Sequence, residues 1–228
     1  MKYIFTILFS ITSFWSGFMK IHYQNQHIDQ AYENYFNNEY EETISHISML
    51  EDSLEFFNEG LLLNKAHSYY KLARFDAPGA IPAPEDSIYR QKVQNVMGNY
   101  AQVLDYSSDL ASVAYNQSGV VIFKSGVING QAVDQEQMIS TSIEYFKNAL
   151  IKDPLNEEAR YNYELLKKYK AFPDQIFKTV ETLVKQRKYE QAYQILAPWV
   201  EKDSRFKDKK EYTQRLGEIV QIEKNIGS

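Results

Sequence analysis

Cysteine is absent from this chain of 228 residues. Its absence excludes disulfides, thiol catalysis, zinc sites built from cysteine and the lipid anchor of a lipoprotein, which is attached through a cysteine. Glycine and proline are scarce too, at nine and six residues. Both residues disfavour helix, and helix formers such as Leu, Ile, Lys, Glu and Gln are plentiful, so the composition favours an all-α protein.

Neither sign of charge dominates. The formal net charge is -5, with acidic and basic residues mixed along the chain. Proteins that bind nucleic acid or an anionic membrane surface usually carry a basic patch. We therefore expect no nucleic-acid partner, and we interpret the basic runs Lys185 to Lys188 and Lys207 to Lys210 as solvated helix faces.

Motifs of catalysis and metal binding are also missing. No glycine-rich phosphate loop precedes a Lys-Ser or Lys-Thr pair, and the segment Ser107 to Asp109 is better interpreted as a helix N-cap than as a nucleophile. The histidines do not fall at metal-ligand spacing; they are His22, His27, His46 and His67. We expect a protein that is not an enzyme, with no cofactor and no metal site.

The longest apolar run lies at the amino terminus, from Tyr3 to Met19, bounded by Lys20. It predicts an export signal over residues 1–20. Two alternatives stay open because no small-x-small triplet marks a cleavage site. The run could be an uncleaved membrane anchor, at the short end of the roughly 17 to 25 residues that span a bilayer, or a buried core helix. No second apolar span follows, so residues 21–228 are predicted to form a soluble helical domain.

Apolar residues at helical spacing predict about four helix pairs in that domain. The first pair runs from Gln24 to Asn37 and from Tyr40 to Asp52, and the second begins near Leu54. Two loop insertions are predicted, near 76–86, where three prolines forbid helix, and near 126–137. A last helix, 207–224, has the character of a polar-faced cap.

The segment Ser140 to Lys168 is the clearest helical hairpin. Ser142, Phe146 and Ala149 share one face of its first helix, and Asp153 with Pro154 ends that helix. Asn156 is predicted to cap the next helix, which the segment Ala171 to Asp174, containing Pro173, is expected to interrupt before another helix begins at Gln175.

These features resemble tetratricopeptide repeats, whose unit of about 34 residues is a pair of antiparallel helices. In the family pattern a large residue is followed four positions later by a small one and three later by Tyr, as at Leu62, Ala66 and Tyr69. Successive second-helix anchors are spaced more widely than that period, at 53, 46 and 50 residues; they are Ile47, Tyr100, Phe146 and Leu196. Insertions and an extra helix would account for the surplus.

The chain resembles the exported tetratricopeptide proteins of Bacteroides aerotolerance operons in three features. They are the predicted export signal, the sequence ALIKDPLNEEARYNYELLKK and a composition rich in Tyr, Asn and Lys. That resemblance implies a periplasmic or envelope-associated protein. It also implies work beside membrane-bound von Willebrand A-type proteins and an AAA-type ATPase.

The family resemblance further implies that a ligand lies in a concave groove formed by the first helix of each pair. The matching positions are Tyr32, Tyr35, Phe36, His67, Tyr70, Lys71, Asn116, Phe123, Lys124 and Tyr161. An aromatic groove with two lysines suits an extended peptide or the acidic terminus of a partner. Two simpler interpretations stay open. The aromatic residues could serve packing between neighbouring repeats, and Lys71 and Lys124 could be solvated surface residues.

The sequence thus favours a non-catalytic scaffold of the cell envelope that binds a peptide or protein partner and touches the membrane only through an uncleaved amino terminus. The alternative is a helical-repeat module that binds a small ligand or glycan by aromatic stacking. Aromatics converging on one closed pocket would favour that alternative.

Overall fold

The computed structural model describes residues 2–75, 87–106, 108–128 and 135–226, and their side chains except at 2–16, 87, 108 and 126–128. All regular structure in these ranges is helical, which confirms the all-α prediction. The α-helices are α1 (Lys2–Phe36), α2 (Tyr40–Asp52), α3 (Glu59–Ala73), α4 (Ser87–Ala101), α5 (Ser108–Ile122), α6 (Gln135–Lys152), α7 (Glu157–Lys185), α8 (Tyr189–Lys202) and α9 (Lys210–Ile226). A π-helical segment (Phe123–Ile128) follows α5, and a 3₁₀ segment (Ser204–Lys209) precedes α9.

Each helix packs against the next one in sequence, and the contact of α5 with α6 is the most extensive. A second set of contacts joins α1 to α3, α3 to α5 and α5 to α7. The odd-numbered helices α1, α3, α5 and α7 therefore form a connected row, and the side chains between them are candidates for a shared surface.

Small residues allow α5 and α6 to approach closely. Gly119 on α5 lies against the ring of Phe146 on α6, and a Cβ at position 119 would lie 2.7 Å from the Cε1 atom of that ring. Ser112 on α5 and Ser142 and Ala149 on α6 are fully buried, and Oγ of Ser112 donates to the Ala149 carbonyl at 2.8 Å. Because none of these side chains is bulky, the two backbones can approach while Phe146 fills the remaining space.

Apolar side chains form several clusters between neighbouring helices. The largest lies among α3, α4 and α5, around Leu62, Ala66 and Val121. Another joins α7, α8, the 3₁₀ segment and α9, around Leu196 and Phe206. The interior is thus distributed along the series of helices.

Helix α7 corrects the expectation that Ala171 to Asp174 interrupts a helix. Asn156 caps α7 as predicted, accepting a hydrogen bond of 2.9 Å from the Ala159 amide, but the helix continues through Pro173 to Lys185. Proline lacks the N–H that would donate to the carbonyl of Tyr169. That carbonyl instead accepts from Nη1 of Arg205 at 2.6 Å, so the hydrogen bond lost at Pro173 is replaced by a side chain.

Other boundaries shift by a few residues. Helix α3 begins at Glu59 rather than near Leu54, and the last helix, α9, begins at Lys210 rather than at 207. Of the loop predicted near 126–137, residues 126–128 belong to the π-helical segment and 135–137 to α6, while the remainder and the 76–86 insertion lie outside the described residues.

The amino-terminal apolar run falls within α1, the 35-residue helix Lys2–Phe36. Most of its side chains, at residues 2–16, lie outside the described part of the chain. In the part that was described, no helix combines the length and apolar character needed to cross a bilayer.

Candidate functional site

Three side-chain contacts connect the odd-numbered helices, and each involves residues predicted for the groove. The first joins α1 to α3, where the Tyr35 hydroxyl lies 3.4 Å from Nδ1 of His67. Burial, with a smaller effect of Tyr40, raises the pKa of Tyr35. The phenol therefore keeps its proton and can donate a hydrogen bond to an unprotonated Nδ1 of His67.

His67 is held in the neutral form that this contact needs. Burial, with a smaller contribution from the Lys71 ammonium one turn further along α3, lowers the pKa of His67 from 6.5 to about 4. The imidazole also packs edge-on against the ring of Tyr100 on α4, with centroids 5.6 Å apart. At neutral pH the ring is thus an uncharged acceptor for Tyr35.

The second contact joins α3 to the π-helical segment that follows α5. Nζ of Lys124 donates to the Tyr70 hydroxyl at 3.0 Å and lies 5.8 Å from the centroid of the same ring. Phe123, the neighbouring residue, packs edge-on against Tyr169 on α7 with centroids 6.0 Å apart. The π-helical segment therefore directs one side chain toward α3 and the other toward α7, in keeping with the frequent occurrence of π-helical turns at functional sites.

The third contact joins α5 to α7. Nδ2 of Asn162 donates to Oδ1 of Asn116 at 3.0 Å, and beside it Nε2 of Gln117 lies 3.3 Å from Oε1 of Glu158. Asn116 is only 1% exposed. Its own Nδ2 is buried without a hydrogen-bond partner among the described residues. Asn116 thus lies beneath the surface rather than on it.

Tyr100 supplies a second buried polar atom at this surface. The residue is fully buried, and its hydroxyl has no partner in the described part of the chain. Burial strongly raises the pKa of Tyr100, and the nearby Tyr70, Tyr35 and Glu158 raise it further. The Tyr100 phenol therefore stays protonated, and its ring packs beneath the first contact, against His67.

The remaining predicted residues are accessible from solvent. Tyr32 and Phe36 on α1 are 37% and 76% exposed, and Tyr161 on α7 is 67% exposed. Lys71 on α3 is also exposed. The predicted residues therefore form two groups. The accessible ones lie on α1 and α7, at the two ends of the row of odd-numbered helices, and at Lys71 between them. The half-buried or buried ones make the cross-helix contacts.

Among the described residues, no group of three or more His, Asp or Glu side chains could hold a metal ion. His27 and His46 do meet between α1 and α2, with Nδ1 atoms 2.8 Å apart. Burial and then the proximity of His27 lower the pKa of His46, against a weaker opposing effect of Glu42. The hydrogen bond therefore joins two imidazoles in a setting that favours the neutral form of His46.

Sequence reasoning does not identify Tyr100, Glu158 or Asn162 as members of this site. Glu158 and Asn162 are one helical turn apart and flank the predicted Tyr161, so helical spacing could have found them. Tyr100 carries only the signal of a packing anchor in α4, and its proximity to His67 depends on the tertiary fold.

Comparison of the chain with protein-family models, curated proteins and solved structures finds no match in any of the three. Its function must therefore be inferred from its own residues and contacts.

Proposed function

We propose that this chain is a tetratricopeptide-like helical-repeat protein, exported to the cell envelope, that binds a peptide or protein partner on the surface of its odd-numbered helices and performs no chemistry. The observation that carries this proposal is the series of three cross-helix contacts. They are Tyr35 with His67, Tyr70 with Lys124, and Asn116 with Asn162. Each contact includes at least one residue that the family resemblance implies for the groove, and this supports the proposal.

The repeat architecture is supported by the way helices approach one another. Ala66 is fully buried in α3, and Gly119 allows α5 to contact Phe146 of α6. These are small residues at the positions where the repeat pattern calls for them. The succession of contacts along α1, α3, α5 and α7 gives the same support from the packing, since stacked hairpins place their first helices side by side.

A peptide partner suits the chemistry of this surface. An extended peptide presents both N–H donors and C=O acceptors, and the surface offers an amide at Asn162, a carboxylate at Glu158 and cations at Lys71 and Lys124. Lysine ammonium groups would favour acidic side chains or a carboxyl terminus.

A small-ligand or glycan module would instead need aromatic faces converging on one pocket. The two accessible tyrosines of the predicted set, Tyr32 and Tyr161, belong to α1 and α7, the first and last helices of the row. Rings so placed favour an elongated partner over a compact ligand.

Export and envelope association rest on the apolar run from Tyr3 to Met19 and on the family resemblance. The mass of the exported protein would separate the alternatives, because a cleaved signal removes the run whereas an anchor retains it. Retention would make the protein a tethered scaffold, consistent with a partner in a membrane-bound complex.

Site-specific photo-crosslinking in the source organism tests the proposed surface. A photoreactive phenylalanine would replace Tyr32 or Tyr161 on the odd-numbered helices, and Met49 or Ile151 on α2 and α6 as matched controls of 44% and 67% exposure. We expect one protein to be captured from positions 32 and 161 and not from 49 or 151. Capture of the same protein from all four positions, or from the control positions alone, would refute the assignment.

A further inference from the structure

A cleft of about 630 Å³ lies between α6, α7 and the 3₁₀ segment, and it shares no lining residue with the three cross-helix contacts. Its floor is apolar and includes Ile139, Ile143 and Phe206. Ile139 and Phe206 are 2% and 1% exposed, so they belong to the buried interior. The volume lies within the range of about 300 to 1,000 Å³ that is usual for small-ligand sites.

Two hydrogen bonds establish how the walls of the cleft face one another. Nζ of Lys170 on α7 donates to Oγ of Ser140 on α6 at 2.8 Å, and Oγ of Ser204 on the 3₁₀ segment lies 3.0 Å from Oε1 of Gln135. Helices α6 and α7 are joined by residues 153–156 alone, so they run antiparallel. Positions before Ser140 on α6 therefore lie beside positions after Lys170 on α7.

This register places two carboxylates at the same end of the cleft. Glu136 lies one turn before Ser140, and Asp174 lies one turn after Lys170; both line the cleft. Lys167, one turn before Lys170, lines it toward the other end. The cleft therefore has an acidic end and a basic end.

These four charges have no ion-pair partner among the described residues, whereas the other two cations of the lining are already paired. Nη2 of Arg205 lies 2.6 Å from Oδ2 of Asp203, and Nζ of Lys209 lies 2.7 Å from Oδ2 of Asp208. The unpaired charge along the cleft thus runs from the ammonium of Lys167, which lies 5.0 Å from the Tyr163 ring centroid, through that of Lys170, which donates to Ser140, to the carboxylates of Asp174 and Glu136.

We propose that this cleft binds a short zwitterionic peptide of about three residues with both termini free. Its carboxylate contacts Lys167 and Lys170, its ammonium contacts Glu136 and Asp174, and an apolar side chain packs on Ile139 and Ile143. The length follows from the geometry. Lys167 and Asp174 are seven positions apart on α7, about 10 Å at a rise of 1.5 Å per residue, and an extended peptide spans about 3.3 to 3.6 Å per residue.

The test is a titration of the full chain with the tripeptide Ala-Leu-Ala, followed through isoleucine-methyl NMR signals of Ile139 and Ile143. We expect saturable shifts of both signals at millimolar peptide. N-acetylation or C-amidation of the peptide should each weaken binding about tenfold, because each removes one charge-assisted contact. This site is independent of the groove, so replacing Lys124 with Met should leave the titration unchanged.

Two charge-neutralising double variants identify which end binds which terminus. Lys167→Met with Lys170→Met should weaken the free peptide about tenfold and abolish the penalty of amidation, while Glu136→Gln with Asp174→Asn should abolish the penalty of acetylation. Lys178→Met with Glu164→Gln, exposed positions of α7 outside the cleft, is the matched control. Any of three results would overturn the proposal. The signals of Ile139 and Ile143 could fail to shift, capped and free peptides could bind with equal affinity, or the cleft variants could leave the affinity within twofold of the wild type.

Discussion

Nη1 of Arg205 donates a hydrogen bond of 2.6 Å to the backbone carbonyl of Tyr169, the group that Pro173 leaves without its helical donor. The guanidinium also lies 3.8 Å from the centroid of the Tyr169 ring and pairs with Asp203 at 2.6 Å. A side chain that follows α8 thus completes the hydrogen bonding of α7. Arg205 thereby connects the 3₁₀ segment that precedes α9 to the middle of α7.

The first prediction concerns this replacement of a backbone donor. Arg205→Ala should lower the free energy of unfolding by about 2 kcal/mol, because it removes the donor of the Tyr169 carbonyl and leaves the Asp203 carboxylate with the backbone amide of residue 205 but without its guanidinium. In a Pro173→Ala background the amide of residue 173 can donate to Tyr169, so the same substitution should cost about 1 kcal/mol less. Urea unfolding of the four proteins, followed by circular dichroism, measures both values.

Arg215→Ala is the matched control for that cycle. Its pair with Glu211 is 70% and 76% exposed, so removal should change stability by less than about 0.5 kcal/mol. Equal costs of Arg205→Ala in the two backgrounds would show that the guanidinium does not replace the proline's missing donor.

The same residues show what the sequence could and could not predict of the fold. Asn156 is identifiable as a cap because its signal is local, a short polar side chain before Glu157 and Glu158. Continuation of α7 through Pro173 is not, because the compensating donor lies 32 positions further along the chain. Local rules for proline are reliable only when no distant group satisfies the freed carbonyl.

For the candidate site, the family resemblance implies Tyr35, His67, Tyr70 and Lys124, and the fold brings these four side chains together in two pairs. Which residue contacts which depends on how adjacent hairpins stack, and no spacing within one helix contains that information. The buried states of Asn116 and Tyr100 likewise depend on neighbouring helices.

A second prediction tests the close approach of α5 and α6. In Gly119→Ala the new Cβ would lie 2.7 Å and 2.9 Å from two ring carbons of Phe146. Overpacking of this kind costs about 1 to 3 kcal/mol, which thermal or urea unfolding would detect. Gly98→Ala, where no atom lies within 4 Å of the added Cβ, should instead raise stability by about 0.5 to 1 kcal/mol.

Relief of the clash provides the internal check. If Phe146 causes the loss, adding Phe146→Leu should reduce the cost of Gly119→Ala, although Phe146→Leu alone destabilises by removing buried ring atoms. An undiminished cost in the double variant would place the strain elsewhere.

A third prediction addresses the buried amide contact between α5 and α7. Asn162→Ala should destabilise the fold by about 1 to 2 kcal/mol, since Oδ1 of Asn116, a residue 1% exposed, would lose its only donor among the described residues. Asn116→Ala should destabilise the fold less than the same substitution at a buried asparagine whose amide is fully hydrogen-bonded, because Nδ2 of Asn116 has no partner among the described residues. A double-mutant cycle measured by urea unfolding should give a coupling of at least about 0.5 kcal/mol; strictly additive costs would argue against the contact.

The last prediction follows from the neutral state of His67. Its pKa of about 4 in the folded chain lies below the ordinary value of 6.5, so the unfolded chain takes up the proton at higher pH. The resulting stability is fully present above pH 6.5 and is lost as pH falls toward 4, by roughly 3 kcal/mol. His46, whose pKa is also lowered, contributes with the same sign. The control is His67→Gln, which keeps a neutral acceptor. Between pH 7 and pH 4, the free energy of unfolding measured in urea should therefore fall by roughly 3 kcal/mol more in the wild type than in this variant. Identical pH profiles for the two proteins would mean that His67 is not held neutral by its surroundings.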